Sequence, residues 1–132
     1  MTTHAEGTFT VASWEEDTFD ELGGGAKLTR ARIVQEFTGD LEATGAAELL
    51  MCYAPDGTAT IVGLQRFLGR LGDRKGGFVL QSIGAYDGTV AKSNLSVVPG
   101  SGTDGLAGLS GKGTSVVGSE PPGTVTLDFD LD

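Results

Sequence analysis

At 132 residues the chain is read as one domain, 1–132, long enough to bury roughly two-thirds of its unfolded surface without disulfides or metals. Its net charge of −9 argues against nucleic acid and anionic membrane surfaces as partners, since both demand cationic neutralisation. One cysteine, Cys52, excludes an internal disulfide, and 22 glycines without a Gly-X-Y period exclude collagen. The start, MTTHAEGTFTVASW, shows neither a basic n-region nor an apolar run, and no stretch approaches a membrane span. A soluble, cytoplasmic protein is expected.

His4 to Trp14 alternates as a half-buried strand, with Gly7, Phe9 and Val11 on one face and Glu6, Thr8 and Thr10 on the other. Glu15 to Gly25 reads as an acidic loop that either covers a barrel mouth or moves. Lys27 to Thr38 is a second strand: Leu28, Arg30, Arg32, Val34 and Glu36 share one side, Ala31, Ile33, Gln35 and Phe37 the other. The turn after it lies at Gly39-Asp40 or at Thr44-Gly45. Glu48 to Ala54 is strand three, closed by Pro55-Asp56-Gly57, where Pro fixes φ and Gly frees it. Thr58 to Leu68, Phe78 to Tyr86 and Thr89 to Val98 follow, the last two joined by a tight Asp87-Gly88 hairpin. Leu95 to Gly113 combines a strand end, Pro99 and a glycine-punctuated crossing loop that requires close main-chain approach. Thr103 to Leu109 is the one place for a helical turn. Leu109 to Val117 and Val125 to Leu131 complete eight strands. The expected fold is therefore all-β, an eight-stranded antiparallel up-and-down barrel that leaves no open edge, with a two-sheet sandwich as the rival.

Motif matches are mostly ordinary structure. Gly100-Ser-Gly-Thr-Asp-Gly105 fits the dinucleotide fingerprint letter by letter, but no βαβ unit surrounds it. A single histidine, His4, and a single cysteine cannot build a zinc site of ordinary type, and Cys52 reads as a small buried apolar residue. Asp128, Asp130 and Asp132 alternate with Leu127, Phe129 and Leu131 and read as a solvated face. No cofactor is expected.

Two rows carry more information. Phe78, Leu80, Ser82, Gly84 and Tyr86 share one face of a strand; Ile61, Gly63, Gln65 and Phe67 share one face of its neighbour. If both face inward, Gln65 and Ser82 sit among Phe67, Phe78 and Tyr86 beside gaps at Gly63 and Gly84, a mostly apolar lining with a few orienting polar groups. A filled core in which Gln65 and Ser82 satisfy each other is the alternative, because eight strands enclose little space. Glu48 opens strand three beside Leu49 and Leu50. Facing inward, it would be a base with a pKa raised by desolvation; facing outward, it would pair with Arg66 across the hairpin.

The blocks HAEGTFTVASWEE, AKLTRARIVQEFTGDLEATG, ELLMCYAPDGTATIVGLQR, GGFVLQSIGAYDG, LSVVPGSGTDGLAGLSGKG and TLDFDLD together resemble a family of small bacterial proteins of unknown function with the allene oxide cyclase-like barrel. The resemblance spans nearly the whole chain and implies a narrow central cavity, often in an oligomer. The family pattern often has Gly-Leu-Glu-Arg where this chain has Gly63-Leu64-Gln65-Arg66, and Leu-Gln-His where it has Leu80-Gln81-Ser82. A Glu and a His on one cavity would form an acid/base pair; Gln65 and Ser82 bond hydrogen without transferring protons near neutral pH.

The reading that results is a module binding a small hydrophobic molecule in the barrel, contacted by Tyr53, Gly63, Gln65, Phe67, Phe78, Ser82 and Tyr86, with a homo-oligomer as the candidate assembly. The alternative is an isomerase or cyclase that steers a reactive intermediate by shape, with Glu48 as its catalytic base.

Overall fold

The structure, a computed structural model, describes residues 2–131. β1 (Thr3–Gly23), β2 (Ala26–Gly39), β3 (Leu41–Tyr53), β4 (Ala59–Leu71), β5 (Arg74–Tyr86), β6 (Ala91–Val97), β8 (Ser110–Val117) and β9 (Gly123–Asp130) pair antiparallel, each with the next. β9 returns to β1, which closes the ring. The two-residue β7 (Thr103–Asp104) adds onto β5. The expected eight-stranded up-and-down barrel is what forms, and closure leaves no strand of the ring with a free edge over its paired length.

Alternation decides which side chains enter. Ala43, Gly45, Ala47 and Met51 of β3 point inward opposite Phe37, Gln35, Ile33 and Thr29 of β2, small residues against larger ones. The same parity sends Ile61, Gln65 and Phe67 inward from β4, and Phe78, Leu80 and Ser82 from β5.

β1 departs from the expected pattern. The acidic segment after Trp14 is not a loop; it continues as strand, paired with β2 as far as Gly23. The register shifts between Val11 and Ser13, so Ala12 is left unpaired as a bulge. The shift reverses parity: beyond it Trp14, Glu16 and Thr18 lie opposite the inward-facing Ile33, Ala31 and Thr29. Gly39, at φ 107, makes the turn into β3, so β3 begins at Leu41, seven positions before the expected start at Glu48.

One end of the barrel is filled. Phe9, Phe37, Phe67 and Phe78 form a chain of rings with centroids 5.0, 4.9 and 5.0 Å apart, the last pair stacked. Below them the segment after β6 folds across the opening and drives Leu106 (0 % exposed) and Leu109 into the core. This plug also satisfies the half of β5 that β6 does not reach. Gly77 N–H donates to Thr103 Oγ1 at 3.0 Å and Val79 N–H to Ser101 Oγ at 3.1 Å. A Cβ at Gly102 would stand 1.9 Å from the Leu106 carbonyl oxygen, the close approach expected of this loop. Consecutive i to i+3 bonds, Leu106 to Thr103 and Ala107 to Asp104, make the expected turn. The dinucleotide-like glycines thus serve a plug.

Candidate functional site

Above the phenylalanine floor the interior is hollow. A chamber of about 100 Å³, the volume of roughly three waters, lies between two apolar clusters. It is lined by Phe9, Ile33, Phe37, Met51, Ile61 and Leu95, with Gln35, Gln65, Ser82, Ser93 and Ser115 as its polar members. The opposite end of the barrel is open. There a mouth of about 480 Å³ continues from the chamber, sharing Trp14, Met51, Ile61, Ala91 and Val117 with it, and is rimmed by Tyr53 and Tyr86. Chamber and mouth together have the shape of a funnel.

The glutamines are placed by a missing side chain. Gln65 on β4 reaches across β3 and donates through Nε2 to Gln35 Oε1 on β2. It passes over Gly45, where a Cβ would stand 2.9 Å from Gln65 Nε2 and 2.9 Å from the Phe37 ring. Ser82 points inward from β5 one diagonal step from Gln65, since it lies opposite Gly63. Gln65 and Ser82 therefore do share the hollow, but Gln35, not Ser82, completes Gln65.

At the mouth Glu16 collects donors from three strands. Tyr53 OH donates to Oε2 at 2.7 Å, Thr29 Oγ1 to Oε2 at 2.8 Å, and Trp14 Nε1–H to Oε1 at 3.0 Å. Partial burial pushes the Glu16 carboxyl up, yet the bonds from Tyr53, Thr29 and Trp14, with the Lys27 ammonium, together hold it below the ordinary value. Tyr53 is pushed up to about 12, by burial first and then by its bond to the Glu16 carboxylate. This pair is thus set to stay Glu⁻ and TyrOH near neutrality. It fixes geometry and is poorly tuned for proton transfer.

The remaining expected residues separate into those that line the funnel and those that do not. Phe67 forms the chamber floor, and Tyr53 and Tyr86 stand at the mouth, Tyr86 OH donating to the Gly88 carbonyl at 2.8 Å. Phe78 does not reach the chamber: it is 2 % exposed, stacked beneath Phe67. Gly63 opens no gap, because the space its Cβ would take is filled by Leu49 and the Glu48 carbonyl, 2.5 and 2.3 Å away. Gly84 is likewise filled, by Ser93.

Glu48 is the main correction. Strand parity from Leu41 puts it on the outer face, its side chain 53 % exposed and its Oε1 accepting from Arg32 Nε at 2.8 Å. It neither enters the barrel nor pairs with Arg66, which lies opposite Ala46 instead. A base at this position has no route to a molecule inside. Cys52 is also outside and exposed, for the same reason of parity. His4 lies on the outer wall between Asp128 and Glu6, at 2.6 and 3.1 Å. Asp128 and Asp130 face outward as expected, and Asp132 lies outside the described residues.

Sequence reasoning missed Trp14 and Glu16 at the mouth and Gln35, Ser93 and Ser115 in the chamber. For β1 the signal was present: tryptophan, glutamate and threonine recur at alternate positions 14, 16 and 18, out of phase with Phe9 and Val11.

Among curated proteins none is similar to the chain. A solved structure from Shewanella oneidensis MR-1, described as a protein of unknown function from the DUF3224 family, is 27 % identical with a TM-score of 0.79. The match covers 100 % of this chain and 99 % of that one. Residues 5–131 match the family model described as protein of unknown function (DUF3224), and the chain belongs to that family.

Proposed function

We propose that this protein binds a small hydrophobic molecule in its barrel, entering through the mouth. The observation that carries the reading is the shape and lining of the hollow: an aromatic floor, an apolar wall with a few polar groups, and an adjoining mouth. A barrel built only for stability would fill this space, because interiors pack to crystal-like density and voids cost contacts. Kinship with allene oxide cyclase-like barrels belongs to the same proposal and is supported by the closed eight-stranded ring. The cyclase alternative retains only steering by shape, since Glu48 stands outside. A cytoplasmic setting fits the exposed thiol of Cys52.

A second copy of the chain is the proposed partner on the outer wall. Leu50, Val62 and Ile83 lie in one cross-strand row over β3 to β5, with Leu64 beside them, each 42–53 % exposed. Arg32, Glu48 and Arg66 bring both charge signs to the rim of this patch, which suits a self-complementary contact.

The neutral dye N-phenyl-1-naphthylamine tests the binding reading. It is expected to brighten on binding and to quench Trp14, the sole tryptophan, at the mouth. Ala91→Phe, which fills the mouth where it meets the chamber and keeps Trp14 the sole tryptophan, is expected to abolish both signals. Undiminished signals in that variant would place the dye elsewhere and remove the proposal's support.

A further inference from the structure

The chamber contains hydroxyls without protein partners. Ser82 is 7 % exposed, and its side chain makes no hydrogen bond with any described residue. No side-chain polar atom among the described residues is both fully enclosed and unpartnered, so the Ser82 hydroxyl opens onto the chamber. The same holds for its neighbours round the wall. Ser93 of β6 lies opposite Gly84, one diagonal step from Ser82, and Ser115 of β8 lies directly opposite Ser93. Neither bonds to protein through its side chain. Gln35 and Gln65 continue the arc on the far side; their mutual bond uses one donor and one acceptor and leaves Gln35 Nε2 and Gln65 Oε1 for another partner.

What this arc lacks is charge. Among the described residues no Asp, Glu, Lys, Arg or His lines the chamber, and Glu16 stays at the rim, already accepting three donors. A carboxylate or an ammonium carried into the chamber would find no counter-charge and lose its hydration. A pure hydrocarbon would strip water from the serine and glutamine groups and give nothing back, which costs as much as leaving those groups buried unmade. Only an uncharged hydrogen-bonding group satisfies both conditions. The volumes add an orientation: about 100 Å³ admits a few heavy atoms, while the body of a larger molecule must lie in the mouth against Trp14, Tyr53 and Tyr86.

We infer that the ligand is an otherwise apolar molecule carrying a neutral oxygen function, a carbonyl or hydroxyl, inserted oxygen first against Ser82, Ser93 and Ser115. This rests on the binding reading above and specifies the chemistry of that same site.

The test uses the full chain and four probes of matched length: 2-heptanone, heptanoate, heptylammonium and n-heptane, followed by Trp14 fluorescence and calorimetry. The ketone is expected to bind about tenfold or more tighter than each of the others, the size of discrimination that unpaired buried polar groups impose. Ser82→Ala and, separately, Ser115→Ala are expected to weaken the ketone about fivefold and to leave n-heptane unweakened, with unchanged melting curves as the control for folding. Equal affinity for n-heptane and the ketone would overturn the inference while leaving hydrophobic binding in place. Tighter binding of heptanoate or heptylammonium would overturn it through the charge argument, and an unaltered ketone affinity in both serine variants would overturn it through the wall. Binding of none of the probes, with the naphthylamine dye also silent, would remove the binding reading itself.

Discussion

Glu16 holds the mouth in shape because one carboxylate serves side chains from three strands: Trp14 beside it on β1, Thr29 on β2 and Tyr53 on β3. The sign of its pH dependence follows from the lowered pKa. A carboxyl held below its unfolded value of 4.5 contributes stability above that value and loses it as pH falls through the folded one. Trp14 emission is therefore expected to change with a midpoint below 4.5, and Glu16→Gln to abolish that transition; a midpoint at or above 4.5 would contradict the arrangement. Lys27 and Tyr53 are the other ionisable groups facing this carboxylate, and Tyr53, pushed up to about 12, keeps its proton throughout that range. At the alkaline end Tyr53 is expected to ionise near 12, seen as phenolate absorbance that Tyr53→Phe removes.

Among the elements, the aromatic floor is the fully buried end of the hollow. Phe67 is 1 % exposed and touches Phe37 and Phe78 on either side. Phe67→Ala is expected to cost about 3–5 kcal/mol in urea unfolding, transfer and cavity terms together. It also deepens the chamber by the volume of the lost ring, so dye capacity should rise where the variant still folds. The strand rows of β4 and β5 could be read from sequence because alternation there is unbroken, but which row faced inward stayed open until the closed ring turned the one with Gln65 and Ser82 toward the hollow. Glu48 could not be placed until the β2–β3 turn was fixed at Gly39, since a strand's start determines the side of every residue in it. Ser93 and Ser115 were hidden for another reason. Serine in a strand usually marks the wet face, and only the closed ring brings β6 and β8 round to meet β5.

Across the whole molecule, inner and outer walls are chemically distinct, and the proposed activities divide between them. The inside offers a hollow without charge; the outside offers an apolar row on β3 to β5 within a surface of net charge −9. Self-repulsion opposes association at low salt, so a dimer held by that row should tighten as salt screens the charge. Leu64→Glu, at a position already 53 % exposed, is expected to leave the melting temperature within a few degrees and to shift sedimentation from dimer to monomer. A wild-type chain that sediments as a monomer at every concentration and salt would dispose of the partner proposal and leave the barrel's interior reading untouched.

The bulge at Ala12 is one of three points of slack along β1, the others lying between Thr18 and Asp20 and between Glu21 and Gly23. A chain shortened by that one residue would still hang Trp14 and Glu16 over the same opening, because their partners on β2 do not depend on it. A change of length can therefore be absorbed here without altering the mouth. β4, whose register with both neighbours is unbroken, has no such reserve: dropping one residue from its middle would turn half that strand inside out.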